Sequence, residues 1–466
     1  MNCMDAPSQS KPGLSIGPSS HMESQRLKRV LTLRDLLVYG MMIMQVVAPV
    51  PIFGLLEQRS NNHSVTTILA AMVVMAITAI SYGRMARLYP MAGSAYTYVG
   101  RALNPHLGFL AGWSMFLDYL IIPLISAIIP ALAIQRLVPS APLPLLTFFI
   151  VAGMTALNLK GIRTTVRANM LLLAITSLAV VAFLVLAVHY LFLKAGWAGV
   201  FSTAPLYSPE SFQPRALLAG ISLAAMNYIG FDGLTTLAED SVNPKRDMVL
   251  ATVLVVVITG ILSAVELYFL HLVLPDWRLA DPNSSYLDVM RMVGGPVLFT
   301  TFLVVMSVSQ FGSGFNVQVN AARLLYGMGR DNVLPKPLFG YLSPKRQNPS
   351  RNIILVGVLA YLGTVFISFD HACDLLNFGA FVGFMGVNLA TVWSYYLRPP
   401  KSHQRHLVWD ALLPSVGFLM CLVFWIGLPG RAKIVGGVWL LAGVLYSAWK
   451  TRGFRDRPLL FDFRET

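Results

Sequence analysis

Long apolar runs separated by short polar connections organise this chain. Twelve of them reach spanning length, at roughly residues 33–56, 66–83, 106–134, 142–159, 168–193, 215–241, 248–274, 295–318, 352–369, 374–397, 408–428 and 432–449 (segments 1 to 12). Each is near the ~20 residues a helix needs to cross a bilayer. The 3.6-residue period says little where a run is apolar all round, so the interruptions carry the information. Segment 6 contains the clearest one, MNYIGFDGLTTLAEDSVNP at 226–244. Its apolar helix ends after Met226, Asn227 and Tyr228, breaks at Gly230, Phe231, Asp232 and Gly233, then resumes to place Glu239 and Asp240 before Asn243 and Pro244. In hydrocarbon an unpaired backbone group costs several kcal/mol and a mid-depth charge roughly 3 kcal/mol or more, so such a break persists where it lines an enclosed or watery cavity. A substrate site is the leading reading.

Segment 1 is expected to break as well. It carries Ala48, Pro49, Val50, Pro51 and Ile52 in its middle. Each proline removes a backbone donor and clashes with the carbonyl four residues earlier, and two spaced by one residue do not amount to a mild kink. Breaks in segments 1 and 6 lie five segments apart, the spacing expected if segments 1–5 and 6–10 are inverted repeats with paired discontinuous helices, segments 11 and 12 lying outside.

Composition narrows the class. The chain of 466 residues is 56% hydrophobic and 12% charged, where a soluble domain carries about 25% charged residues. An all-α polytopic membrane protein is the expectation, with the lipid bilayer as its solvent. Placing the N-terminus inside puts 27 of the 35 Lys and Arg on the cytosolic connections, which favours twelve spans with both termini cytosolic in the cytoplasmic membrane. The net charge of +14 sits in short clusters between apolar runs rather than on one stripe, so it reads as a topology signal and not as a nucleic-acid surface. Residues 1–30 are polar and lack a signal-peptide core, and read as a disordered cytosolic tail. The transporter domain then occupies 31–450 and a short cytosolic tail 451–466. Cys3, Cys373 and Cys421 have neither pairing nor metal-ligand spacing.

Three stretches carry a resemblance: AGSAYTYVGRALNPHLGFLAGWSMFLDYL (92–120), IGFDGLTTLAEDSVNPKRDM (229–248) and NAARLLYGMGRDNVLPK (320–336). In this order they resemble the amino acid, polyamine and organocation transporter superfamily, and SYGRMARLYPMAGSAYTY with GWSMFLDYL looks closest to its putrescine-importer-like branch. The resemblance implies a LeuT-type fold of ten helices in 5+5 inverted repeats with broken helices 1 and 6, two peripheral helices, and alternating access around a central site.

Asp232 is the leading candidate at that site. The resemblance places the carboxylate after the segment 6 break beside the substrate, and an ammonium in low-dielectric surroundings needs a counter-charge. The competing role is a helix cap accepting the free N–H groups of the resumed helix. By the same resemblance, the stretch from Ala48 to Phe53 corresponds to the glycine-rich segment where amino-acid members of the family hold the substrate carboxylate through backbone N–H groups. Pro49 and Pro51 depart from that pattern and weaken the cradle for an anion, which favours an amine, although donors at Val50 and Ile52 leave an amino acid open. Segment 3 contributes Asp118, seven residues after Ala111 and so on its face; the resemblance turns Ala111 and Gly112 toward substrate, so Asp118 is expected to look inward and to serve a second amine, a proton or a structural bond. Phe231, Tyr228 and Trp113 are expected to enclose the aliphatic part. Ser309, Ser313, Asn316 and Asn320 share one face of segment 8, lining the pathway or gluing helices. Glu239, Asp240, Glu266 and Ser313 are gating or coupling candidates.

No catalytic constellation, cofactor or metal cluster is expected, and His189 and His271 look isolated, which disfavours an intramembrane enzyme. The coupling ion stays open. Segment 5 lacks the lysine that some proton-driven members use, Thr176 standing in its place; a proton on an acidic residue is favoured over sodium, and simple exchange remains an alternative. The expected substrate is a small amine such as putrescine, with an amino acid as the alternative, carried by a monomer or homodimer.

Overall fold

The computed structural model describes residues 31–90, 94–160, 166–238, 241–276, 281–330, 333–343 and 348–455. Residues 1–30, Glu239 and Asp240 lie outside the described residues, as does the tail from 456. Segment 1 is two short helices, α1 (Leu33–Met44) and α2 (Phe53–Ser60), followed by α3 (Ser64–Leu88), α4 (Ser94–Ala102), α5 (Pro105–Leu137), α6 (Leu143–Lys160) and α7 (Val166–Val200). Segment 6 becomes α8 (Pro214–Ala224), a tight turn at Ala225–Tyr228, α9 (Phe231–Leu234) and a second tight turn at Thr235–Leu237. The chain continues through α10 (Pro244–Val273), α11 (Ser285–Arg330), α12 (Lys336–Phe339), α13 (Ser350–Phe366), α14 (Phe369–Val392), α15 (Leu413–Gly427) and α16 (Gly430–Lys450). Among the described residues ten helical stretches are long and apolar enough to cross a membrane; α13 is a shorter apolar helix. α11 is two helical pieces joined across a kink at Gly295 (φ 62°), so the expected span at 295–318 begins at the kink and its helix runs on to Arg330.

Both predicted breaks are present, and they meet. α1 ends at Gln45, which takes a positive φ of 55° that a non-glycine residue adopts only when its surroundings impose it. The α8–α9 break turns at Gly230, with φ 125°. A Cβ there would lie 2.6 Å from Ile43 Cγ2, so glycine serves both the dihedral and the close approach of α1. The two broken elements are tied again at their far side, where Val242 N donates to Leu31 O at 2.9 Å.

One face of the bundle is pinned by charge. Arg59, at the end of α2, donates to Asp370 at 2.5 Å and to both oxygens of Asp374 at 3.2 and 2.9 Å, joining the broken helix to the start of α14. Two residues earlier Glu57 accepts from Ser64 of α3 and lies 3.0 Å from His271 Nδ1 of α10, all three buried. His271 is therefore not isolated. The expectation failed because its partner lies 214 residues away in sequence. Arg136 of α5 reaches Ser284 at 2.8 Å and Asp288 of α11 at 3.2 Å. On the opposite face Arg84 of α3 and His403 both meet the buried Asp410, ahead of α15.

Candidate functional site

The two breaks form one wall of a central cavity of about 100 Å³. From α1 and its break come Ile43, Met44, Gln45, Ala48, Pro51 and Ile52, and from the α8–α9 break Met226, Asn227, Gly230, Asp232 and Gly233. The facing wall is a stripe of α5, Tyr119, Ile122, Ile125, Ser126 and Ile129, at spacings that repeat on one helix face. α11 adds Gln310, Ser313 and Asn320, and α14 adds Leu376. The cavity is apolar along α5 and polar where the broken backbone and α11 face it.

Among the described residues Asp232 is the one carboxylate on this wall. It is 1% exposed, and its Oδ1 accepts from Gly230 N at 3.1 Å while Oδ2 accepts from the Tyr119 hydroxyl at 3.4 Å. The backbone bond is the capping role expected of it. Because a carboxylate offers about four acceptor positions, an incoming ammonium would share these oxygens with the Gly230, Gly233 and Tyr119 donors, so capping and ligand binding are compatible.

The facing break offers few donors. Pro49 and Pro51 have no N–H. Ala48 N donates to Gln45 O at 3.0 Å, Val50 N to Val47 O at 3.2 Å and Phe53 N to Val50 O at 3.2 Å. Of the two amides that sequence left available for a substrate carboxylate, that of Val50 is used inside the turn, whereas that of Ile52, on the cavity wall, meets no backbone carbonyl among the described residues.

Several candidates point elsewhere. Ala111 and Asp118 do share a face of α5, but that face packs on α14 rather than on the cavity: a Cβ on Gly379 would sit 3.3 Å from Asp118 N, and one on Gly386 4.0 Å from Ala111 Cβ. Asp118 is 2% exposed with Oδ1 unpartnered, and Tyr119, one position or 100° on, faces the cavity in its place. Gly112 packs against Tyr96 of α4. Trp113 stacks on Trp439 of α16 at 4.6 Å, each indole N–H bonding the other's carbonyl, so it anchors a peripheral helix. Phe231 packs between Tyr82 and Phe384. Tyr228 donates to Ile68 O at 2.7 Å. These two aromatics brace the break from behind, and neither they nor Pro49 and Val50 line the cavity. Glu266 is buried in α10 with both oxygens unpartnered and off the wall.

The cavity continues, through Ile43, Gln45, Ser313, Val317 and Asn320, into a vestibule of about 540 Å³. Ser309, Ser313, Asn316 and Asn320, the predicted stripe of segment 8, all line it. Thr176, Asn158, Asn348 and Arg323 add to its polar wall. Tyr119, Gln45 and Gln310 had not been singled out in sequence. Their signal was weak but present, since each is a polar side chain inside an apolar run.

Comparison with known proteins adds the family. Residues 58–448 match the family model for amino acid permeases. The chain is 33% identical over 438 residues to the low-affinity putrescine importer PlaP of Escherichia coli, covering 92% of this chain and 95% of that one. It is 25% identical over 455 residues to the branched-chain amino acid permease BcaP of Lactococcus lactis, covering 91% and 95%. Among solved structures, a manganese transporter from Eremococcus coleocola superposes with a TM-score of 0.52 at 13% identity, covering 90% of this chain and 95% of that one, and so shares the fold. With its apolar helices and this similarity, the chain is a multi-pass membrane protein that belongs to the amino acid permease family, within the amino acid, polyamine and organocation superfamily and its putrescine-importer-like branch.

Proposed function

We propose that this permease carries a small organic amine, putrescine being the leading example, across the cytoplasmic membrane by alternating access. One observation carries the reading: Asp232 lines the cavity beside a break in which two positions are proline and the Ala48, Val50 and Phe53 amides bond within the turn, so that few backbone donors remain. An ammonium finds a counter-charge there, whereas a carboxylate finds neutral side-chain donors, few backbone donors and a like charge. The 33% identity to a putrescine importer supports the same substrate class.

The proposed transport cycle uses the two faces. In this reading the ten long helices, α13 and the α1–α2 pair make twelve spans, the first ten of them in two inverted repeats, with both termini cytosolic. The vestibule then opens to the cytosol, and the Arg59–Asp370–Asp374 cluster with Glu57–His271 closes the outer side. Substrate enters when α2 parts from α10 and α14, pairs with Asp232, and leaves past Ser313 and Asn320 once those contacts re-form. A coupled proton, rather than sodium, is the ion this reading favours; Asp118 and Glu266, buried with unpartnered oxygens, are places for it.

The amino-acid reading is kept alive by the family model and the branched-chain relative. Uptake of labelled putrescine and labelled leucine into proteoliposomes separates the two. Putrescine uptake is expected. Robust leucine uptake with none of putrescine would overturn the amine reading.

A further inference from the structure

The carboxylates around the cavity are accounted for one by one. Asp232 lines it. Asp118 is buried and lines neither the cavity nor the vestibule, its backbone packing on α14 at Gly379. Glu266 is buried in α10 and lines neither the cavity nor the vestibule. Glu57 is engaged by Ser64 and His271, and Asp370 and Asp374 by Arg59. Among the described residues, therefore, the cavity and vestibule together present one carboxylate, and the vestibule presents a cation, Arg323. The isoleucines of α5 line the cavity beside Asp232, and Ser313, Val317 and Asn320 are shared with the larger polar space next to it.

We infer that this site reads one ammonium and a short apolar stretch, and leaves the far end of the substrate unread. The inference rests on the amine reading above and narrows it. A second ammonium held in the central cavity would be desolvated without a counter-charge, which is strongly unfavourable. It therefore sits in the wet vestibule, where neutral amides and hydroxyls replace part of its hydration and Arg323 opposes it. The second charge of a diamine then adds little affinity, and a primary monoamine of the same chain length binds almost as well. The substrate class is primary alkylamines with a small hydrated or uncharged far end, within which a diamine is one member and not the best fit by charge. The expectation of a second cavity carboxylate at Asp118 predicted the opposite ranking.

The test uses the purified full chain with n-butylamine, 4-amino-1-butanol and putrescine, which share a four-carbon chain. Dissociation constants from calorimetry should agree within tenfold, a difference of less than about 1.4 kcal/mol. Asp232→Asn should weaken all three by a similar factor. Putrescine binding more than tenfold tighter than both monoamines would overturn the inference and leave the amine reading intact, because a second recognition group would then have to exist. Binding of leucine without binding of any amine would overturn both. Loss of putrescine alone in Asp118→Asn, with n-butylamine unchanged, would likewise overturn the inference and identify that second group.

Discussion

Tyr119 of α5 donates its hydroxyl to Asp232 of α9 at 3.4 Å, so a helix of the first half of the chain holds the carboxylate at the break in the second. Gly230 N holds the other oxygen at 3.1 Å. The carboxylate is thereby oriented. Asp232→Asn keeps the shape and removes the charge that an ammonium needs. It should reduce amine affinity at least tenfold while the protein still inserts and melts within a few degrees of the parent, by calorimetry and thermal shift. Tyr119→Phe removes one neutral donor, worth about 0.5–1.5 kcal/mol net, so a loss of roughly two- to tenfold is expected. Unchanged amine binding in Asp232→Asn would remove the carboxylate from the site.

Gly230 carries a second prediction. Its φ of 125° is open to glycine and strained for any L side chain, and a Cβ would meet Ile43 Cγ2 at 2.6 Å. Gly230→Ala should lower stability by roughly 1–3 kcal/mol through backbone strain, with a further loss from the clash. Adding Ile43→Ala removes the clash and leaves the dihedral. The double variant should therefore melt above Gly230→Ala and below the parent; full restoration would show that the dihedral is not limiting.

The Arg59 cluster predicts an accessibility change. The Asp374 side chain is 2% exposed and that of Arg59 18%, so Arg59→Ala leaves a largely desolvated carboxylate without its cation. Removing one partner of a fully buried pair costs about 3–5 kcal/mol; partial exposure reduces this to about 1–3 kcal/mol. Cys373, next to Asp374 and buried, is a built-in reporter of that face. In a Cys3→Ser background, Arg59→Ala should raise the rate at which a membrane-impermeant maleimide labels Cys373 by about tenfold or more. An unchanged rate would show that the cluster does not hold this face shut.

The interruptions were legible in sequence because they violate strong rules. Two prolines one residue apart and a carboxylate between glycines do not fit an apolar span, and both breaks are where those residues stand. The polar stripe of segment 8 was legible for the same reason, through its spacing. Side-chain direction in α5 was not. Asp118 and Tyr119 are adjacent, one helix step turns one toward α14 and the other toward the cavity, and nothing in a uniformly apolar run fixes that rotation. Trp113 was misplaced by the same ambiguity, since its partner Trp439 lies in a helix 326 residues later. The pairing of Glu57 with His271 depends on tertiary proximity alone, which no local pattern encodes.

The proline break yields the sharpest test of substrate chemistry. Pro49 and Pro51 bring no N–H to the α1 break, and the Ala48, Val50 and Phe53 amides bond to carbonyls within the turn. An α-carboxylate in this cavity would lose its hydration and recover few donors, whereas an ammonium is served by Asp232. Replacing both prolines by glycine adds two donors and frees the turn to re-pair its own amides. Pro49→Gly with Pro51→Gly should leave n-butylamine binding within about threefold of the parent and create measurable binding of leucine, because each neutral N–H bonded to a carboxylate contributes about 1.5–3 kcal/mol. The chain should melt at a lower temperature, since two glycines restore conformational freedom to the unfolded state. A variant that stays folded, binds amine as before and still ignores leucine would show that the prolines do not set the preference. The discrimination would then have to come from Asp232 repelling the carboxylate, which the same leucine assay in Asp232→Asn reads directly.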